Sequence, residues 1–87
     1  MSTIQQRFMK DNRITTLPRK EKDKIALLHY IVKAFQPNKT YSEHEVNQIL
    51  KSYYSDYAIL RRYLVDYAML MRDDDGKRYW VNQGDVI

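Results

Sequence analysis

Ile25, Leu28, Ile31, Val32 and Phe35 recur at three- and four-residue steps, a spacing that aligns them on one face of a helix. The pattern predicts a first helix over 19–35, opened by Pro18, whose missing N–H would have no partner in a first turn. Gln36-Pro37-Asn38-Lys39 closes it, because proline breaks a helix and asparagine favours a turn. Thr40 and Tyr41 suit a strand of one or two residues. Ser42-Glu43-His44-Glu45 then fits a capping box, with the serine oxygen accepting from the N–H of residue 45 and Glu45 reaching back to the N–H of residue 42. A second helix follows, expected to bury Val46, Ile49 and Leu50 and to end near 52–54. Ser55 or Asp56 can cap a third, in which Tyr57, Leu60, Leu64 and Tyr67 point one way and Arg62 and Asp66 the other. Two short runs, 70–72 and 78–81, flank Asp73-Asp74-Asp75-Gly76, and Asp-Gly predicts an antiparallel hairpin because glycine accepts the positive φ of a tight reversal.

Helix, short strand, capped helix, helix and hairpin is the element order of a winged helix-turn-helix. The expected fold is therefore mainly α with a small β-hairpin, although order alone is an analogy and does not establish function. Residues 1–17 have no sustained period and read as a basic N-terminal arm with at most a short extended piece over 13–17. Residues 18–82 read as the winged-helix-like domain and 83–87 as a loosely held tail. At 87 residues the chain has room for one core, and not for a second domain with a cleft between. That favours a binding module over an enzyme.

With no cysteine, neither disulfides nor cysteine-ligated zinc can staple the fold, which fits a reducing compartment. The first residues lack the apolar stretch of a signal peptide and no segment approaches about 18 apolar residues, so a cytoplasmic protein without a membrane span is expected. Charge is unevenly spread. Residues 1–24 hold seven bases and three acids, whereas 25–87 hold eight of each, so the whole net charge of +4 lies at the start of the chain. A polyanion such as double-stranded DNA could be gripped there by Arg13, Arg19 and Lys20.

Phe35 and Pro37, Tyr41-Ser42-Glu43 with Glu45-Val46-Asn47 and Ile49-Leu50, Asp56, Leu60-Arg61-Arg62 with Leu64-Val65-Asp66, Arg72, Gly76 and Tyr79-Trp80 form a specific combination. With them the stretch from Leu17-Pro18 to Trp80 resembles a bacterial domain family of unassigned function, found alone or fused C-terminally to ArsR-type helix-turn-helix transcriptional regulators. The resemblance implies a winged-helix-like fold and a setting in transcription regulation, and it brings no ligand, cofactor or catalytic residue. Ala68 departs from it, standing where glycine is usual; a helical or mildly extended backbone there would suit alanine.

On the third helix Arg61 and Arg62 suggest a recognition element, since arginine pairs with guanine in the major groove. The bland alternative is an ion pair between Arg62 and Asp66 four residues on. Lys77 and Arg78 at the hairpin could touch phosphate, against the repulsion of three adjacent aspartates. Those aspartates lack the spaced ligands and closing glutamate of a calcium loop. His29 and His44 fall in no metal-binding spacing and read as surface residues. No nucleophile elbow or glycine-rich phosphate loop occurs, and no cofactor is expected. Tyr53, Tyr54 and Tyr57 could stack on bases or meet a partner, or they could close the core beneath the turn between the second and third helices. Eight tyrosines against two phenylalanines suit a thin core in which a ring is buried and its hydroxyl stays wet. Two functions follow as expectations: weak DNA binding by the arm and third helix, or a protein-interaction module without DNA. The first is expected to act as a dimer, and the second to serve interaction or dimerisation, with a second copy in a homodimer or a helix-turn-helix regulator as partner.

Overall fold

The computed structural model describes residues 4–82. The tail expected over 83–87 lies outside them. The elements in chain order are α1 (Ile4–Phe8), β1 (Met9–Lys10), β2 (Arg13–Ile14), α2 (Glu21–Val32), β3 (Thr40–Ser42), α3 (Glu43–Lys51), α4 (Tyr57–Asp66), β4 (Leu70–Arg72) and β5 (Arg78–Val81). Among the described residues these make four helices and two small antiparallel sheets, one of β1 and β2 and one in the order β3-β5-β4. The fold is a small α/β arrangement, with more strand than a mainly α chain with a single hairpin would have.

Apolar spacing and local chemistry account for most elements. In α2, Leu27 joins Leu28 and Ile31 in the core, and Phe35 just beyond the helix packs edge-to-face on Tyr41 at 5.1 Å between ring centres. Leu27 is buried as well as Leu28 because α2 has neighbours on two sides, α1 and α4. The capping box at α3 forms as its sequence requires: Ser42 Oγ accepts from the Glu45 N–H at 3.1 Å, and Glu45 Oε1 accepts from the Ser42 N–H at 2.9 Å. Val46, Leu50, Leu60 and Leu64 are wholly buried where α3 packs on α4. Asp56 is the N-cap of α4, but its side chain makes no capping hydrogen bond.

Two local readings change. Residues 4–14 are not an arm: they form α1 and a hairpin whose two-residue turn, Asp11-Asn12, has φ of 53° and 63°. Both turn residues occupy the left-handed region that a type I′ reversal needs and that aspartate and asparagine tolerate. The hairpin is part of the core, since Met9 and Ile14 are buried and the Ile14 N–H donates to the Tyr53 carbonyl at 2.7 Å. Ala68, expected to be helical or extended, has φ 58°. It is the left-handed residue of a Schellman motif ending α4, with its own N–H donating to Val65 O at 2.9 Å and the Met69 N–H to Leu64 O at 2.8 Å.

The second hairpin has the expected limits, and β5 also pairs with β3, so the short strand before α3 becomes the third member of a sheet. Tyr41 and Tyr79 lie opposite each other on the core side. Gly76, at φ 70°, closes the turn by donating its N–H to Asp73 O at 3.0 Å. Asp73 Oδ1 accepts from the N–H groups of both Lys77 and Arg78 at 3.1 Å.

Candidate functional site

An open pocket of about 280 Å³ lies between α4 and the β4–β5 hairpin, and Arg61, Arg62 and Arg72 all line it. Helical periodicity puts Ala58, Arg62 and Asp66 on the exposed side of α4. Strand alternation puts Arg72 on the same side of the sheet as its partner Tyr79, facing the helices. Arg61 is half-buried and donates to the side-chain oxygen of Asn47, which ties α4 to α3. Arg62 is the more available, with 79% of its side chain exposed and its Nε 3.6 Å from Asp66 Oδ2. The i,i+4 pair expected from the sequence is thus present, and exposed pairs of this kind hold their partners weakly. Glu43 accepts from the Tyr79 hydroxyl at 3.2 Å and, with Asp66, gives the pocket two carboxylates against three guanidinium groups. The balance favours an anion.

Arg72 had no place among the candidate residues; only its position opposite Tyr79 reveals it, through a pairing register that local sequence does not specify. Lys77 and Arg78 are exposed near the hairpin tip, and Arg78 projects from the other side of the sheet, away from the three arginines. Backbone N–H donation, first from Arg78, holds the Asp73 carboxyl below the usual carboxylate range despite partial desolvation. The aspartate therefore stays charged and organises the turn.

The basic residues of the first 24 positions are divided between structure and surface. Arg7 pairs with Asp23 at 3.1 Å, and the Lys24 ammonium sits 4.5 Å from the centre of the Tyr63 ring. Arg13 donates from Nη1 to the carbonyls of Lys51 and Ser52, each at 3.2 Å, closing the C-terminal end of α3. Arg19 and Lys20 are exposed ahead of α2. The candidates therefore do not converge: Arg61 and Arg62 meet Arg72, while Arg13, Arg19, Lys20, Lys77 and Arg78 lie elsewhere. Lys10 and Lys51, two exposed bases, flank Arg13 through the β1–β2 register and the α3 carbonyls.

Tyr53, Tyr54 and Tyr57 are half-buried and pack against the core, so they support the turn between α3 and α4. His29 and His44 are exposed. Among the described residues no group of three potential ligands could hold a metal ion, and no helix is long and apolar enough to cross a membrane.

Residues 13–81 match the family described as an uncharacterized protein conserved in bacteria (DUF2087), and the chain belongs to that family. Neither a curated protein nor a solved structure matches the chain.

Proposed function

We propose that the chain is a small winged-helix-like domain associated with transcription, and that it binds duplex DNA weakly through α4 and the β4–β5 hairpin. Supporting the fold reading are the order α2, β3, α3, α4, β4, β5 and the central place of β5 in the sheet. One observation carries the function: Arg61, Arg62 and Arg72 come from a helix and a strand to line the same open pocket, where a DNA backbone can lie between helix and wing. Arg7 is paired with Asp23 and Arg13 closes the α3 carbonyls, whereas Arg62 keeps 79% of its side chain exposed beside a weak, longer pair with Asp66, so the grip is assigned to this face in preference to residues 1–17. A transcription regulator fused or bound to the domain would supply the rest of the affinity.

The test is fluorescence anisotropy of a labelled mixed-sequence duplex. With Arg62 on a base edge, the two phosphate contacts of Arg61 and Arg72 give a slope of log K against log salt of about −1.8, or about a 12-fold loss of affinity between 50 and 200 mM salt. Arg72→Ala should flatten that slope by about 0.9. A base-reading Arg62 should cost about 1 to 3 kcal/mol on a preferred sequence when changed to alanine. Absence of duplex binding near 50 mM salt overturns the proposal. If a stable dimer or regulator complex forms in that case, the protein-interaction reading replaces it. That second reading has its own support in β4, a sheet-edge strand presenting the exposed Met71.

A further inference from the structure

The two sides of the three-stranded sheet differ in character. Tyr79 points into the core, so its neighbours Arg78 and Trp80 face the opposite way. Trp80 stands directly between Thr40 of β3 and Met71 of β4, which makes a row of threonine, indole and thioether across the outer face. Thr40, Ser42, Met71 and Arg78 on that face are all exposed. Beside the row an open groove of about 560 Å³ runs between the turn ahead of β3 and the hairpin, with Lys39, Thr40, Arg78 and Trp80 in its walls. The Lys39 ammonium rests 5.0 Å from the centre of the Tyr41 ring, which faces the core side, so Lys39 borders the groove from the edge of β3. Asp73 also borders the groove and stays charged while its Oδ1 accepts from the backbone N–H groups of Lys77 and Arg78, so with Lys39 and Arg78 the groove keeps a net positive charge.

We infer that this groove takes an unpaired nucleotide of a single-stranded nucleic acid, with the base on the Trp80 indole and its phosphate between Lys39 and Arg78. An aromatic face beside two cations matches the two parts of a nucleotide, and stacking tolerates any base because every base has a π-face. The open shape selects a strand over a free nucleotide. Small-molecule sites enclose most of their ligand, whereas a strand offers neighbouring phosphates to supplement one partly covered base. The site lies on the opposite side of the sheet from Arg72, so it stands or falls independently of duplex binding by α4.

Trp80 is the sole tryptophan of the chain, so its emission reports the stacking directly. The full chain is titrated at low salt with an oligothymidylate of about eight nucleotides, with thymidine monophosphate and a blunt duplex in parallel. The oligomer should quench Trp80 saturably, while the monophosphate and the duplex should not at the same nucleotide concentration. The double variant Lys39→Ala/Arg78→Ala should bind more weakly and lose about 1.4 from the salt slope, two phosphate contacts at the single-strand value. Trp80→Ala, checked for folding by circular dichroism and read by anisotropy of a labelled oligomer, should weaken binding about 5- to 160-fold. Arg62→Ala should leave the quenching unchanged. Three results overturn the proposal: no quenching by the oligomer, quenching insensitive to the double variant, or equal quenching by the monophosphate or the duplex.

Discussion

Replacing Ala68 by glycine should stabilise the protein, against the usual expectation for an alanine beside a helix. With φ at 58°, Ala68 holds its Cβ close to the following carbonyl, a strain of about 1 to 2 kcal/mol for an L-residue. Glycine removes that strain, and its freer unfolded chain gives back about 0.4 to 1 kcal/mol. The Ala68 methyl is exposed, so little burial is lost with it. A net gain of about 0.5 to 1 kcal/mol should remain, raising Tm by about 2 to 8 °C for a domain of this size. Thermal and urea unfolding followed by circular dichroism measure it, with an unchanged urea slope showing that the surface exposed on unfolding is the same in both proteins. Ala26→Gly is the internal control: Ala26 is exposed in the middle of α2, so glycine there should cost about 0.5 to 1 kcal/mol. If Ala68→Gly destabilises as Ala26→Gly does, the left-handed conformation at 68 is wrong, and the account of how α4 ends falls with it.

Leu64→Ala should cost about 2 to 5 kcal/mol in urea unfolding because Leu64 is wholly buried, whereas exposed Asp74→Ala should stay within about 0.5 kcal/mol. Ser42→Ala removes one half of the capping box and should cost about 0.5 to 2 kcal/mol by the same assay. Glu45 is held below its usual range chiefly by the Ser42 backbone N–H, as Asp73 is by that of Arg78. Since folding lowers both pKa values, their stabilisation is complete above the unfolded values and is lost as pH falls from about 4 through the folded ones. An acid titration of the Glu45→Gln/Asp73→Asn variant should show less of this loss than the parent chain; identical acid limbs would remove both groups from the account.

Elements with a short-range chemical signature were legible in the sequence. Ser42 and Glu45 are three residues apart and satisfy each other within one turn, and Asp-Gly sets the second hairpin by its own backbone preference. Asp11-Asn12 reverses the chain in two residues, both at positive φ and without a glycine, and its two-residue strands are too short to show an apolar alternation. What buries Met9 and Ile14 is tertiary, the contact of that hairpin with the end of α3. The candidate site divides in the same way. Arg61 and Arg62 could be placed from helical spacing, but Arg72 joins them only through the pairing of β4 with β5. Trp80 is likewise assigned to the outer face by Tyr79 pointing inward.

The tie between the first hairpin and α3 also constrains the order in which the chain can assemble during synthesis. Ile14 needs the Tyr53 carbonyl and Arg13 needs those of Lys51 and Ser52, so β2 meets its partners only after about 38 further residues have been added. At ordinary translation rates that interval is roughly two to eight seconds. A hairpin of two-residue strands cannot persist alone for such a time. Residues 9–14 are therefore fixed no earlier than residue 53 is made, and until Tyr53 emerges from the ribosome the apolar side chains of Met9 and Ile14 are open to whatever shields nascent chains.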